Sequence, residues 1–261
     1  MDLGIGGRCA IVTGASKGIG RATADLLARE GAQLVLAARD PEPLAALGAA
    51  LGELTTVITV AADVTDRSSS TRIRDAALAA FGRIDIVVNN AGGGGGPLAE
   101  FEEDEWLDLY VRNVTSAVRL TMACLPTMRA QRWGRIVNVA STMARHCDPR
   151  FGPYGAAKAA VLHVTRNLGQ AYARDGVLAN CVLPGLTRTD GVLTGYASAG
   201  AASGRSTDEI EERMMARQPI AIGRAGEPDE VAAMIVFLCS ERTSWVVGAE
   251  VPVDGGTLTD I

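Results

Sequence analysis

Short apolar runs alternate along the whole chain with longer segments of helical periodicity. Between the runs, apolar residues recur at i, i+3 and i+4, as in Ala22, Leu26 and Leu27, which is typical of amphipathic helices. Runs of this length, rich in β-branched residues, predict strands. The predicted strands are Cys9–Thr13, Gln33–Ala37, Thr56–Ala61, Ile84–Val88, Arg135–Val139, Leu178–Leu183 and Ala249–Val253.

Strands that are apolar along their whole length must be covered on both faces, and the alternation with helices supplies that cover. The pattern therefore predicts an α/β fold with a doubly wound, parallel, seven-stranded sheet and helices on both faces. The last strand contains Pro252, whose nitrogen cannot donate to a ladder, so we expect it at an edge. A chain of 261 residues with 48% hydrophobic content can bury one large core, which predicts a single domain over residues 1–261.

One segment, Gly191–Arg205, consists largely of Gly, Ala and Ser and breaks the pattern. It is interpreted either as a disordered surface insertion or as a flexible lid over a substrate cleft. Its position after the sixth strand favours the lid, because ligands of open α/β sheets bind beyond the carboxyl ends of strands. We therefore predict a flexible substrate-loop region over residues of about 186–216.

Composition and charge exclude several classes of function. The net charge of −5 argues against a nucleic-acid partner, which requires a basic face. Five dispersed cysteines and no secretory leader favour a cytoplasmic protein with reduced thiols. With two histidines and no HExxH pattern we expect no metal site, and no apolar stretch is long enough for a membrane span.

The first predicted strand runs directly into a glycine-rich turn, Thr13–Gly20, which reads TGASKGIG and precedes a predicted helix. Glycines allow a tight turn and let backbone N–H groups approach a pyrophosphate at the helix N-terminus. A glycine-rich run between a strand and a helix thus predicts a dinucleotide-binding site.

The TGxxxGxG spacing resembles that of the short-chain dehydrogenase/reductase family, and further motifs follow in the order of that family. They are Asn89-Asn90-Ala91-Gly92, Ser141, Tyr154-x-x-x-Lys158, Pro184-Gly185 and Val253-Asp254-Gly255-Gly256. The resemblance covers nearly the whole chain. It implies a single-domain Rossmann fold, a nicotinamide cofactor, oxidoreductase activity on CH–OH or C=O groups, and a homotetramer.

The end of the second strand indicates which nicotinamide cofactor is bound. Relatives that use NAD carry an acid at the position of Ala38, where it accepts from the ribose 2′-OH. Here Arg39 follows, and its guanidinium suits a 2′-phosphate, with Lys17 as a second cation. Asp40 is close enough to weaken this preference. We expect NADP(H) rather than NAD(H).

The resemblance also implies the residues around the cofactor. Asp63 and Val64 should hold the adenine, although Asp63 is equally suited to capping the next helix. Asn90 and Ala91 should border the ribose, and the Thr189 hydroxyl should contact the carboxamide. The full predicted cofactor set is Gly14, Ser16, Lys17, Gly18, Ile19, Gly20, Arg39, Asp63, Val64, Asn90, Ala91, Gly92, Tyr154, Lys158, Pro184, Gly185, Thr187 and Thr189.

Four residues form the predicted catalytic set. Tyr154 and Lys158 are four apart, so on a helix they share one face, and a nearby cation lowers the pKa of a phenol. Ser141 follows the fifth strand, where its hydroxyl can donate to a substrate oxygen that gains negative charge. By resemblance, Asn113 is the helix asparagine that holds a water chain to the lysine.

The favoured function is reduction of a ketone, most of all a β-keto acyl substrate, because the segment Gly223–Pro228 is similar to that of bacterial 3-oxoacyl-thioester reductases. Such reductases dock the carrier protein through paired basic residues at the helix ends beside the cleft. Arg132 matches one of these positions, but Asp175 stands at the second, with Arg174 shifted by one. The polar loop Arg145–Arg150 either binds an anionic substrate group or is a solvated loop. Alternatives are a sugar, polyketide or other secondary-alcohol dehydrogenase, and a non-catalytic NADP sensor, which would be expected to lack part of the catalytic set.

Overall fold

The computed structural model describes residues 2–217 and 219–259, and seven strands alternate with helices through them. All seven predicted strands are present, with ends shifted by no more than two residues. The strands are β1 (Cys9–Thr13), β2 (Gln33–Ala38), β3 (Val57–Ala61), β4 (Ile86–Asn89), β5 (Gly134–Val139), β6 (Val177–Pro184) and β7 (Glu250–Val253).

The α-helices of the described residues lie between these strands, and a π-helical turn at Val111–Thr115 joins the fourth helix to the fifth. The helices are α1 (Gly18–Arg29), α2 (Pro41–Leu51), α3 (Ser69–Phe81), α4 (Glu103–Tyr110), α5 (Ser116–Gln131), α6 (Gly152–Tyr172), α7 (Asp190–Ser203), α8 (Thr207–Arg217) and α9 (Pro228–Leu238). Short 3₁₀ turns occur at Leu98–Glu100, Thr142–Ala144, Pro149–Phe151, Ala173–Asp175 and Glu241–Thr243.

The strands form one parallel sheet in the order β3-β2-β1-β4-β5-β6-β7. This confirms the doubly wound Rossmann arrangement, and Pro252 lies on the edge strand β7 as predicted. The chain reverses its direction of winding between β1 and β4, which opens a crevice beyond the carboxyl ends of these strands. Ligands of such sheets bind there.

A separate apolar core covers each face of the sheet. One core packs helices α1, α2 and α9 against the strands, with Leu27, Leu44 and Ile235 at its centre. The other core packs α3, α5 and α6, represented by Ile73 and Leu120, against the opposite face. In the described part of the chain, no helix is long and apolar enough to cross a membrane.

The segment rich in Gly, Ala and Ser is helical, where the sequence indicated an irregular segment. Helix α7 covers most of it, because alanine favours helix and Thr189 caps the first turn by accepting a hydrogen bond from the Val192 N–H. Gly200 is needed for close packing, since a Cβ there would lie 2.6 Å from the Arg205 carbonyl oxygen. Whether α7 and α8 move as a lid stays a prediction.

Candidate active site

The predicted catalytic residues meet at the edge of the sheet where the strands end. Ser141 comes shortly after β5, and Tyr154 and Lys158 lie one turn apart near the start of α6. The Lys158 Nζ atom is 5.5 Å from the centroid of the Tyr154 ring. A phenol, a hydroxyl and an ammonium group are thus brought together next to the crevice.

Lys158 is buried, with 3% of its surface exposed. Its ammonium group donates a hydrogen bond of 2.8 Å to the Val139 carbonyl oxygen. Burial disfavours the charged form and lowers the pKa of Lys158 to about 8. The ammonium group therefore titrates close to physiological pH.

Tyr154 differs from the expectation of a lowered pKa. Burial raises the pKa of its phenol to about 12, and a hydrogen bond with the Ser141 side chain acts in the opposite direction but does not outweigh burial. In the protein alone the phenol stays protonated across the physiological range. The Tyr154 phenol can therefore act as a proton donor and not as a proton acceptor.

Ser141 has a structural role in addition to its predicted contact with the substrate oxygen. Its Oγ accepts a hydrogen bond of 3.2 Å from the Met143 N–H and so caps the 3₁₀ turn that follows β5. The same side chain is hydrogen-bonded to Tyr154. Capping fixes the hydroxyl in place beside the phenol.

Asn113 lies in the π-helical turn, a rare distortion that is frequent at functional sites. Its side chain accepts from the Gly93 N–H at 2.9 Å and donates to the Gly93 carbonyl oxygen at 3.0 Å. A Cβ on Gly92 would lie 2.7 Å from Asn113 Oδ1 and 3.2 Å from Lys158 Nζ, so these three residues are closely packed. The side chain holds the loop after β4, and its predicted water chain to Lys158 stays a prediction.

The glycine-rich turn has the close approaches that its glycines predict. Gly14 has a φ of 64°, and a Cβ on Gly20 would stand 2.3 Å from the Gly14 carbonyl oxygen. The N–H groups of Ile19 and Gly20, in the first turn of α1, have no intrahelical acceptor. Open N–H donors at the positive end of a helix fit a pyrophosphate.

Asn90 and Ala91 contact the glycine-rich turn through Thr13, which the sequence analysis did not include among the site residues. The Thr13 hydroxyl accepts from the N–H groups of Asn90 and Ala91, at 3.1 Å and 3.0 Å. The Asn90 amide donates to the carbonyl oxygens of Thr13 and Gly14, at 2.9 Å and 3.2 Å. Thr13 stands first in the TGxxxGxG pattern, which was the signal available.

The residues at the predicted adenosine end are exposed or partly buried. Arg39 and Lys17 are exposed, Ser16 is partly buried, and the Asp40 carboxylate caps α2 by accepting from the Glu42 N–H at 3.3 Å. Asp63 accepts from the Thr65 N–H and hydroxyl, which lowers its pKa, whereas the N-cap position of α3 is Ser68, whose side chain makes no capping hydrogen bond. Asp63 therefore fixes a turn and does not cap the helix. Val64 and Ala91 line one small cavity beside it.

The residues after β6 are held against the last strand and the glycine-rich turn. Pro184 ends β6, and a Cβ on Gly185 would lie 2.8 Å from the Asp254 Cα atom. The Thr187 hydroxyl donates to the Gly185 carbonyl oxygen at 3.0 Å. The Thr189 hydroxyl accepts from a backbone N–H and keeps its own hydrogen for a ligand.

A family model described as enoyl-(acyl carrier protein) reductase matches residues 14–258, which is almost the whole chain. The chain belongs to the short-chain dehydrogenase/reductase family. Among curated relatives, it is 34% identical over 255 residues to the 3-oxoacyl-[acyl-carrier-protein] reductase of Vibrio cholerae, covering 97% of this chain and 98% of the relative. It is 38% identical over 253 residues to the cis-4-hydroxycyclohexanecarboxylate dehydrogenase of Sinomonas cyclohexanicum, covering 95% and 96%.

Among solved structures, the chain is similar to the L-sorbose reductase from Gluconobacter frateurii in complex with NADPH and L-sorbose. The TM-score is 0.96 at 33% identity, with 100% of both chains covered. Membership of the short-chain dehydrogenase/reductase family establishes an oxidoreductase of ketone and alcohol substrates with a nicotinamide cofactor.

In this member of the family, four further glycines follow the Asn-Asn-Ala-Gly motif. Gly93, Gly94 and Gly95 have φ values of 115°, 93° and 132°, which side chains rarely adopt. A Cβ on Gly95 would lie 3.1 Å from the Tyr154 Cβ atom. The glycine loop, residues 93–96, thus forms a wall without side chains next to Tyr154, a feature that was not predicted from the sequence.

The loop at residues 145–150 has both of its arginines in ion pairs. Arg145 pairs with Glu250, which itself is buried, and Arg150 pairs with Asp148. Pairing with a carboxylate neutralises the charge that an anionic substrate group would need. Of the two interpretations of this loop, a structural one is therefore favoured over an anion-binding one.

The two positions for carrier-protein docking also have structural partners. Asp175 forms an ion pair with Arg129 at 2.6 Å, and Arg132 donates to the Arg174 carbonyl oxygen. Both positions precede a strand, β5 or β6, so within one chain they lie at the opposite edge of the sheet from Ser141. The sequence interpretation had placed them beside the cleft.

Proposed function

We propose that the chain is an NADP(H)-dependent reductase of ketones, and dehydrogenase of the corresponding secondary alcohols. The observation that carries the proposal is the cluster of Tyr154, Ser141 and buried Lys158 beside an open glycine-rich turn. When bound, the nicotinamide ring supplies or accepts the hydride. The chain has to bind the carbonyl oxygen and exchange a proton with it.

Tyr154 is proposed as the acid in the direction of reduction. With a pKa raised to about 12, its phenol keeps the proton until an oxygen with developing negative charge is hydrogen-bonded to it. Ser141 donates to the same oxygen and stabilises the charge, and Lys158 stabilises the phenolate that remains. In the direction of oxidation the same groups work in reverse.

NADP(H) is proposed over NAD(H) because Arg39 directly after β2 and Lys17 in the glycine-rich turn are both exposed cations, and Ala38 is not an acid. The Asp40 carboxylate is engaged in capping α2, so it competes less for Arg39 than the sequence suggested. We expect Arg39→Ala to weaken NADPH binding about 10-fold, the scale of one charge-assisted hydrogen bond, while NADH binding stays unchanged. Arg213→Ala, on helix α8, is the charge-matched control.

A β-keto acyl thioester or a related β-keto compound is the proposed substrate class, supported by the similarity to 3-oxoacyl-[acyl-carrier-protein] reductases. The ion pairs of Arg145 and Arg150 favour a substrate without an anionic group near the cleft. The partners found at Asp175 and Arg132 do not favour docking of a carrier protein at that place.

A neutral polyhydroxy ketone is the second candidate. This candidate is favoured by the similarity, over the full length of both chains, to a reductase whose structure was solved with NADPH and L-sorbose. Arg145 and Arg150 on loop 145–150 are both in ion pairs, which also fits a substrate without a charge. In this arrangement α7 and α8, within the region of about 186–216, would cover the substrate.

The test is a spectrophotometric screen of NADPH oxidation with a β-keto thioester, a β-keto ester, L-sorbose, a diketone and a quinone. We expect turnover with at least one carbonyl compound and a loss of about 100-fold or more in Tyr154→Phe, which keeps the ring and removes the proton. Binding of NADPH without oxidation on any of these compounds would favour the non-catalytic sensor.

We also propose a homotetramer. Exposed apolar side chains along α4 and α5, namely Leu107, Tyr110 and Met122, favour burial against another copy of the chain. Sedimentation analysis should give four times the mass of one chain, 27.1 kDa, and a monomer at micromolar concentration would exclude the tetramer.

A further inference from the structure

A carboxylate from the segment after β6 binds the glycine-rich turn. Asp190, the first residue of α7, accepts a hydrogen bond of 2.9 Å at Oδ2 from the Gly18 N–H. Gly18 begins α1 and has a φ of 55°. The bond therefore connects the turn that is assigned to the cofactor with the helix that is expected to cover the substrate.

The neighbouring residue strengthens this connection by packing. A Cβ on Gly18 would stand 3.2 Å from both Cβ and Cγ2 of Thr189, so the two residues are in close contact. The Thr189 hydroxyl, by capping α7, fixes this contact to the first turn of the helix. We call Gly18, Thr189 and Asp190 the latch.

The charge of Asp190 matters because of where it lies. The first turn of α1 contains no acid of its own, and its N–H groups carry the positive end of the helix dipole. Asp190 supplies an anion there from another part of the chain. Asp190 takes up the Gly18 N–H, while the N–H groups of Ile19 and Gly20 in the same turn stay open for a dinucleotide pyrophosphate, so the bond and a bound dinucleotide are compatible.

We propose that the latch has to open to admit and release the nicotinamide dinucleotide, and that Asp190 thereby sets the rate of cofactor exchange. Asp190 is a positioning residue in this role, since it acts through Gly18 and α7. The inference rests on the proposed cofactor site but does not depend on the identity of the carbonyl substrate.

The rates of NADPH association and dissociation, followed by stopped-flow fluorescence without any carbonyl substrate, test the proposal. Because the bond is exposed to solvent, we expect a modest effect: Asp190→Ala should accelerate both rates about 5-fold. Asp190→Asn keeps an amide oxygen that can accept from Gly18 but loses the charge, so it should accelerate both rates by about 2-fold, less than Asp190→Ala. Asp104→Ala removes an exposed acid from the first turn of α4 instead and should change neither rate.

Two outcomes would overturn the latch. One is that Asp190→Ala leaves both rates at wild-type values. The other is that it accelerates association alone, which is the result expected if the carboxylate only competes with the pyrophosphate. If Asp190→Ala destabilises α7, Asp190→Ser replaces it, because serine suits a helix start but its hydroxyl is too short to reach Gly18. Failure of the wild type to bind NADPH or NADH would instead overturn the proposed cofactor.

Discussion

Buried charged side chains at the two ends of the parallel strands differ in how many hydrogen-bond and ion-pair partners they have. Where the strands begin, a buried charge has several such partners, whereas Lys158, where the strands end, has few. Asp85, just before β4, is fully buried and accepts from the Cys9 N–H at 2.9 Å and from the Arg83 guanidinium at 2.7 and 2.8 Å. Arg8 lies 3.4 Å from the same carboxylate. Every oxygen of this group is in use.

Lys158 is equally removed from solvent but donates only one of its three N–H bonds, to the Val139 carbonyl oxygen, among the described residues. The other two remain available to a ligand. A buried charge that is fully hydrogen-bonded within the protein stabilises the fold, and one with unused donors is destabilising unless a ligand completes it. The comparison thus separates a structural charge from a functional one without reference to any motif.

The largest expected effect is on activity at Lys158. In Lys158→Met the ammonium group is lost while the side-chain length is kept, so we expect carbonyl reduction to fall by about 100-fold or more. NADPH oxidation rates at pH 7 measure this change. Asp85→Asn is the control and should keep wild-type activity per folded molecule. A similar loss of activity in both variants would contradict the distinction between a structural charge at Asp85 and a functional one at Lys158.

The next effect is on stability at Asp85. Asparagine at this position removes the carboxylate that binds Arg83, leaves Arg8 with Glu241 alone and weakens several charge-assisted hydrogen bonds at a buried site, so we expect the free energy of unfolding to fall by about 3 kcal/mol. Urea denaturation followed by circular dichroism gives this quantity. Arg74→Ala, which removes one side of a more exposed ion pair with Asp75, should cost less than about 1 kcal/mol.

The smallest effect is the dependence of stability on pH at Lys158. Because the folded pKa is lowered to about 8 from an ordinary value of 10.5, the unfolded chain binds more protons between these pH values, and stability from this group rises with pH there. At pH 7 we expect Lys158→Met to be more stable than wild type by about 1–3 kcal/mol, and this gain should disappear by pH 10.5. Thermal unfolding of both proteins across this range measures it, and a gain that stays constant with pH would contradict the lowered pKa.

The same titration predicts a pH profile for catalysis. Above pH 8 the free enzyme loses the ammonium charge, so kcat/KM for reduction should decline, while Tyr154 with its pKa of about 12 remains protonated. Rates measured from pH 6 to 10 test this. A profile that is flat through pH 8 would show that the charge of Lys158 is not required.

The strands were predictable because their apolar runs have no competing interpretation. The bounds of β1 match the predicted run, whereas β4 begins two residues late: the N–H and carbonyl oxygen of Ile84 bond to the Gln131 side chain and not to a neighbouring strand. Helix α7 was not predicted, because glycine at 191, 195 and 200 suggested a loop. The alanines and the Thr189 cap outweigh the glycines there.

The candidate catalytic residues, which stay a prediction, were chosen from spacing and family resemblance, whereas the contacts between distant segments could not be predicted. Asp190 lies 172 positions from Gly18, and nothing in either segment indicates the other. The direction of the Tyr154 pKa shift depends on how closely the protein surrounds the phenol, which the order of residues does not give. The ion pair between Arg145 and Glu250 could not be predicted either, because it depends on how distant segments of the chain pack together.

The glycine loop has a consequence for attempts to redesign this enzyme by mutation. At positions 93, 94 and 95 a replacement brings backbone strain in addition to a new side chain, since all three have positive φ. Libraries that randomise these codons should therefore yield mostly inactive clones. Changes of substrate scope are more accessible at Thr142–Ala144 and along α7 apart from Gly200, because none of these residues has a positive φ.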